Sequence, residues 1–565
     1  MPAQQDIDGS GPIAAHEARR FERWLWAVVA VATAAVLLQT LTPGIIGFFH
    51  DDAIYASGAR LLAEGQGYRL PNLPDAPYQT KSPPLFATLL AVVWWIRPDF
   101  PGNVLLLKAL NLGFVAAASV GIAMLARAQN QKLAWTVPVG CQLVLATSPM
   151  VVGFANFTMT DVLLTMLVVC IVLLWGPSGA SMPVRREAAV VTVTAVAILT
   201  RSVGIALAAA IAVDCLLRGQ RVRAALHGGV AFAVLASWML WASMHRADSS
   251  LLIAYYQEYE KPAYSHLMTN PGLALQIVGG NIRIAADSML LAMGPFWLMI
   301  WPALLLFLVT GALQLARAGW RMPLLFGGCY MALVLAHPFT PNRYLLPLVP
   351  LFILATVSGV THLWSVARRS RSAPLRPASA PALIVLAVLL FGNGIWLRYR
   401  FQPAGNVREW TGVDMGYQWS GFQQTFEWLR SNTPPEARLG GLFDTMYFLY
   451  TGRQAVRPWF HRPETYFYPY RAAQPFMGRP EEIAQELRAL GIDYLVLDPT
   501  TGFVEGPAAI ALLRTVIALP DVNAGLVFTS RDGRHEVYRL WKGEGGQRRT
   551  AAVPLRPDPW ASQSR

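Results

Sequence analysis

The chain has 565 residues, 54% of them hydrophobic and only 14% charged. Ordinary soluble domains carry about 25% charged residues, so the composition excludes a soluble globular protein and points to an integral membrane protein. A net charge of +13 would suit nucleic acid, but the Lys and Arg residues sit in short loops between apolar runs, so no nucleic-acid partner is expected.

Residues 1–23 are polar and basic and read as a cytoplasmic N-terminal tail. The apolar run after them is too long for a signal-peptide core and is expected to stay as a first span. Runs able to cross about 30 Å of hydrocarbon as helices then recur as far as residue 400. Eleven spans are expected, at about 24–47, 103–126, 133–152, 162–176, 187–200, 203–217, 225–243, 287–311, 322–338, 344–366 and 380–397. The four cysteines (Cys141, Cys170, Cys215, Cys329) lie within apolar segments, which argues against a disulfide framework or a cysteine metal site.

The segment PLFATLLAVVWWI, Pro84 to Ile96, holds about 13 residues, a length that suits an interfacial or re-entrant piece better than a crossing. Positive-inside bias supports this. If the segment does not cross, HEARRFER, ARAQNQK, PVRRE, LRGQRVR, ARAGWR and ARRSRSAPLR all fall on the cytoplasmic side. The first loop (48–102), the region of Asp161, the turn at 201–202, the loop 244–286, HPFTPNRY and the C-terminal domain then lie outside the cytoplasm.

In the first loop, Asp51 and Asp52 precede a helix ended by GQGY, whose apolar residues Ile54, Ala59, Leu61 and Leu62 would lie on the membrane surface. A proline-rich extended stretch is expected to deliver Lys81 to the non-crossing segment. The acids also suit plain helix capping, and so does Asp161 in FANFTMTDVLLTM, where Thr160 would cap almost as well. An acid at a membrane edge otherwise faces a cavity or a partner. Arg201 interrupts an apolar stretch in AILTRSVGIAL, as a snorkelling arginine or a functional one. Arg343 and Tyr344 open a span on the same face. The loop from Met244 to Ile284 is rich in Tyr, Glu and His, and suits either substrate contact or an interfacial aromatic belt.

Residues 401–545 read as a small extracytoplasmic α/β domain, with helices at FQQTFEWLRSN, TMYFLYTG and PEEIAQELRALG, strands at ARLGGLF and DYLVLDP, and a hairpin about Asp532-Gly533. No GxGxxG, phosphate loop or nucleophile elbow is present, and Asp444, His461 and Asp498 have no matching constellation in the sequence. The domain is expected to act as a lid or acceptor-facing accessory, or simply to pack on the membrane part. Residues 546–565 read as an unstructured tail.

Carboxylates beside cations at a membrane face suit sugar transfer from a lipid phosphate to a hydroxyl. Lys81, Arg201 and Arg343 would hold the phosphate as it leaves. A phosphate leaving group needs little acid assistance, so one carboxylate acting as base, with inverting displacement, suffices. The pattern Asp51, Asp52, Tyr55 and Ala59, then TKSPPLFATLLA, then TMTDVLL, then NRYLLPLVP, resembles membrane glycosyltransferases of the GT-C superfamily, closest to glycosyltransferase family 39 with its protein O-mannosyltransferases and ArnT-like aminoarabinose transferases. The resemblance covers roughly residues 20–400.

It implies a GT-C-like transmembrane catalytic domain (24–400), an active site at the extracytoplasmic face of a bacterial inner membrane, and a polyprenyl-phosphate-linked sugar donor. Asp51 and Asp161 match its first- and second-loop acids, Lys81 matches a donor-phosphate lysine, and Asp52 stands where a glutamate often follows the first acid. Arg201 and Arg343 are extended to phosphate binding, and Tyr55, Tyr78 and Tyr344 to substrate binding. The acceptor is a protein, lipid or polysaccharide hydroxyl. No cofactor is expected, and no His or carboxylate cluster has metal-ligand spacing. A transporter or flippase of lipid-linked sugars is the alternative. Such proteins show internal repeats and mid-membrane interruptions, whereas the polar residues here gather at one face.

Overall fold

The structure is a computed structural model that describes residues 45–130, 134–177, 182–247, 250–257, 268–292, 297–337, 342–369, 379–400, 419–459, 478–498 and 506–541, with most of 27–41. The expected tails 1–23 and 546–565, and His461, lie outside the described residues. Among the described residues, Val104–Gln129, Arg221–Met244, Arg343–Arg368 and Ser379–Leu397 are long and apolar enough to cross a membrane. Thr136–Thr147 and Pro149–Ala155 make a fifth if their 53° bend belongs to one broken span. The break falls at Ser148, whose extended backbone precedes Pro149, a residue that cannot continue a helix ladder. Shorter apolar helices include Thr160–Trp175 and Met322–Leu335.

The tightest helix crossing joins Trp297–Arg317 to Val349–Arg369. A Cβ on Gly311 would lie 1.7 Å from the Ala355 carbonyl oxygen, and one on Gly359 would lie 2.0 Å from that of Phe307, so backbone meets backbone there. Small residues permit this closeness where lipid supplies no hydrophobic drive between helices.

Three expectations are corrected. The stretch 244–286 is not one loop: it holds the helix Leu251–Gln257 and most of the helix Pro271–Ala292. Polar Asn281 broke the apolar pattern, yet it is buried, and its amide donates to the carbonyls of Leu335 and His337, both at 2.9 Å. The first-loop helix Asp51–Ala63 does not lie on a surface, because Ile54, Ala59 and Leu61 are all buried within the protein. The stretch after it is not extended: residues 69–78 fold back on themselves through an antiparallel bridge between Arg69 and Tyr78. Gly65 and Gly67 reverse the chain after the helix with φ of 72° and 84°, a conformation open to glycine.

Beyond the spans lies a five-stranded sheet in the order β2-β1-β3-β5-β4, formed by β1 (Arg438–Gly440), β2 (Gln454–Val456), β3 (Tyr494–Leu497), β4 (Gly525–Thr529) and β5 (Glu536–Arg539). β1 runs parallel to β2 and β3, while β5 runs antiparallel to β3 and β4. The helices Trp419–Asn432, Asp444–Thr451, Pro480–Ala489 and Gly506–Ala518 accompany it. Its apolar core is continuous with the first loop through Ile54, Leu70 and Leu73. Phe48 meets the rings of Trp419, Phe422 and Phe443 with centroids 5.4–6.0 Å apart. The backbone joins in: Ala455 N–H donates to Asn72 O at 2.6 Å, and Gln454 donates to Leu73 O at 2.9 Å.

Candidate active site

Four breaks in helix geometry bring charge to one place. The first-loop helix opens with Asp51 and Asp52 in its first turn. Thr160–Trp175 opens with Asp161, after a connection pinned by Asn111, whose amide donates to Ala155 O at 3.2 Å and Phe157 O at 2.6 Å. Arg201 is the extended residue between the helix Val184–Thr200 and the 3₁₀ turn Ser202–Gly204. That turn requires glycine, since a Cβ on Gly204 would come within 2.6 Å of the Ala197 backbone. Arg343 and Tyr344 open a 3₁₀ segment, Arg343–Leu348, that contains Pro347.

These side chains form an alternating array. Arg343 Nη2 donates to Asp51 Oδ2 at 2.6 Å and to the Tyr344 hydroxyl at 3.2 Å. The Tyr344 ring is shared by both guanidinium groups, that of Arg343 at 5.0 Å from its centroid and that of Arg201 at 4.8 Å. Arg201 in turn is ion-paired to Asp161 and donates to Thr160 Oγ1 at 3.3 Å. Phe49 covers Arg343 at 5.2 Å. The order is thus acid, cation, aromatic, cation, acid. Neither helix opening uses a side-chain cap bond, so Asp51 and Asp161 serve their arginines and not the helix ends. Asp161 is fully buried, and its Oδ2 has no hydrogen-bond partner among the described residues.

Lys81 acts electrostatically on Asp51. Burial opposes ionisation of Asp51, but Arg343, with Lys81, holds its carboxyl well below the usual carboxylate range. Tyr55 is buried beside Ser82 and Thr160, next to both acids' helix ends. Tyr330, which sequence reasoning missed within an apolar run, is buried and feels the charges of Arg201, Asp161 and Arg343.

Two candidates stand apart. Asp52 turns away from the array: its carboxylate accepts Gly47 N–H at 2.8 Å and Ala53 N–H at 2.9 Å. Burial pushes its carboxyl up to about 6, against the pull of those two N–H groups and of Lys108. Tyr78 packs against the Arg69 guanidinium at 3.9 Å, and against His245 and Trp241 with centroids 4.8 and 5.9 Å away. Among the described residues, no group of three or more His, Cys, Asp or Glu side chains is placed to hold a metal ion.

No protein-family profile and no curated protein matches the chain. Solved structures of similar fold include ArnT from Cupriavidus metallidurans bound to undecaprenyl phosphate, at 17% identity and a TM-score of 0.50 over 91% of this chain and 97% of that one. The apo form of the same protein matches at 16% identity and a TM-score of 0.52, over 92% and 98%. The oligosaccharyltransferase AglB from Archaeoglobus fulgidus, in complex with an inhibitory peptide and a dolichol-phosphate, matches at 13% identity and a TM-score of 0.51, over 93% and 75%. The fold is that of the GT-C membrane proteins, with a small α/β unit after the helices.

Proposed function

We propose that this GT-C chain is a glycosyltransferase that moves a sugar from a polyprenyl-phosphate donor to an acceptor hydroxyl at the extracytoplasmic face of a bacterial inner membrane. The observation that carries this reading is the array Asp51, Arg343, Tyr344, Arg201, Asp161, which sets two guanidinium groups between two carboxylates. The lipid phosphates bound by the fold neighbours ArnT and AglB are the matching ligand chemistry.

In the reaction, Arg343, Arg201 and Lys81 hold the donor phosphate and stabilise the charge that grows on it as the C1–O bond breaks. The three cations together meet that charge. Asp51 takes the proton of the acceptor hydroxyl, whose oxygen attacks C1 from the opposite face, so the anomeric centre inverts. Without donor, Arg343 keeps Asp51 a weak base. A phosphate that engages Arg343 removes that restraint, so donor binding itself raises the basicity of Asp51. Asp161 orients Arg201, and Tyr344 and Tyr55 line the sugar site. Asp52 is reassigned from chemistry to holding the turn at Gly47.

The test is transfer from a series of radiolabelled undecaprenyl-phosphate sugars, with membranes as acceptor source, by the full chain and by its Asp51→Asn and Asp161→Asn variants. Inverted product lost in both variants is expected. Transfer surviving both, or movement of intact donor across vesicles without product, overturns the reading.

A further inference from the structure

We infer that His50 and Asp444 extend the site into a proton relay, so that the C-terminal unit is a working part of the catalytic machinery; this rests on the glycosyltransferase reading above. His50 has φ 62° and ψ −59°, and Asp51 N–H closes back onto Phe49 O at 2.7 Å. His50 is therefore the central residue of a γ-turn of the rare, strained hand. A side-chain-bearing residue in such a conformation is strained and persists only where its surroundings hold it.

What holds it comes largely from the C-terminal unit. His50 Nε2 lies 3.1 Å from Asp444 Oδ1, and Thr445 Oγ1 donates to His50 O at 3.4 Å. Asp444 is fully buried, and its other oxygen accepts the Asn72 amide at 2.8 Å. In the tautomer that donates Nε2–H to Asp444, the lone pair sits on Nδ1. Nδ1 is the nitrogen that faces Asp51, 3.8 Å from Oδ1. The titratable groups about His50 are Asp51, Asp444 and Tyr256, whose ring centroid is 5.6 Å from that of His50. The cations in the neighbourhood act on Asp51 (Arg343 and Lys81) and beside Tyr256 (Arg457).

Two carboxylates about one imidazole give the proton somewhere to go. The acceptor O–C1 bond forms as the C1–O(phosphate) bond breaks, its electron pair leaves with the polyprenyl phosphate, and the hydroxyl proton passes to Asp51. Asp51 then hands that proton to His50 Nδ1, and the imidazolium is stabilised by Asp444 until product departs and the proton is lost to water. Asp51 is thereby restored as a carboxylate for the next turnover. The 3.8 Å gap must shorten by about 1 Å, as catalytic hydrogen bonds that are long without substrate commonly do.

Two measurements on the full chain in nanodiscs test this. Histidine-selective ¹⁵N NMR, with His50 assigned by a His50→Gln variant, should show the Nε2–H tautomer, lost or mixed in Asp444→Asn; an Nδ1–H tautomer, or no response to Asp444→Asn, overturns the relay. In the undecaprenyl-phosphate sugar assay, Asp444→Asn and His50→Gly should each lower kcat about 10- to 100-fold and move the acid limb of its pH profile, and free imidazole should restore His50→Gly. Glycine suits the positive φ at this position, so that variant removes the ring without adding strain. If Asp51→Asn is inactive while His50→Gly keeps the native pH profile, the relay fails and the transferase reading stands. If Asp51→Asn transfers normally, the transferase site itself is wrong.

Discussion

Asp161 and Arg201 form an ion pair across 40 positions of sequence, joining the start of one helix to the end of the next. Asp161 is fully buried, so removing its partner leaves an uncompensated charge. Arg201→Ala is expected to cost about 3–5 kcal/mol. Arg201→Gln combined with Asp161→Asn should recover most of that loss while transfer stays absent. Thermal unfolding of the full chain in detergent reads the first effect and the sugar-transfer assay the second. A double variant no more stable than the single arginine variant would contradict the pairing as a stabilising unit.

Gly311 and Gly359 make a second, purely structural prediction. Alanine at either must push the two helices apart, for about 1–3 kcal/mol each. Gly327 and Gly328 have nothing within 4 Å of a Cβ, so alanine there should be neutral or mildly stabilising. Equal melting shifts at the two pairs of sites would refute the close crossing.

Asp498 gives a pH dependence with a defined sign. Burial pushes its carboxyl up to about 7, against a hydrogen bond from the Tyr447 hydroxyl at 2.6 Å. Unfolded, it titrates near 3.8, so between those values the native state binds more protons than the unfolded state. Stability from this residue therefore falls as pH rises from about 4 to about 7, by on the order of 4 kcal/mol. Asp498→Asn should flatten that slope and melt higher than the native chain at pH 8. An unchanged slope would show that the carboxyl is not buried in this way.

The helix Leu85–Ile96 has 12 residues, about 18 Å of rise, and falls short of the hydrocarbon thickness. Its Trp95 indole donates to Ala63 O at 2.8 Å, tying it alongside the first-loop helix. A topology reporter fused after Asp99 should read extracytoplasmic; a cytoplasmic reading would mean that the segment crosses.

Much of this was legible in the sequence, because a charge that interrupts an apolar run is conspicuous. Asp51, Asp161, Arg201 and Arg343 were each visible as such a break, and the structure brings all four together. Tyr78 was not separable from the others, since proximity to Lys81 in sequence does not fix where a ring points. The helix about Asn281 was hidden because its polar residue is satisfied by carbonyls more than 50 positions away. β2 has three residues, too few to show a period. The pairing of His50 with Asp444 spans 394 positions and depends on the C-terminal unit docking onto the first loop, which no local pattern encodes.

The central claim is that Asp51 acts on the acceptor hydroxyl while the neighbouring cations hold the phosphate. Its most direct test compares kcat for transfer with the affinity for undecaprenyl phosphate in Asp51→Asn. The expected result is a loss of about 10²- to 10⁴-fold in kcat, with phosphate-lipid affinity unchanged or tighter, because Arg343 is released. Transfer at the native rate, or a loss confined to lipid affinity, would contradict it.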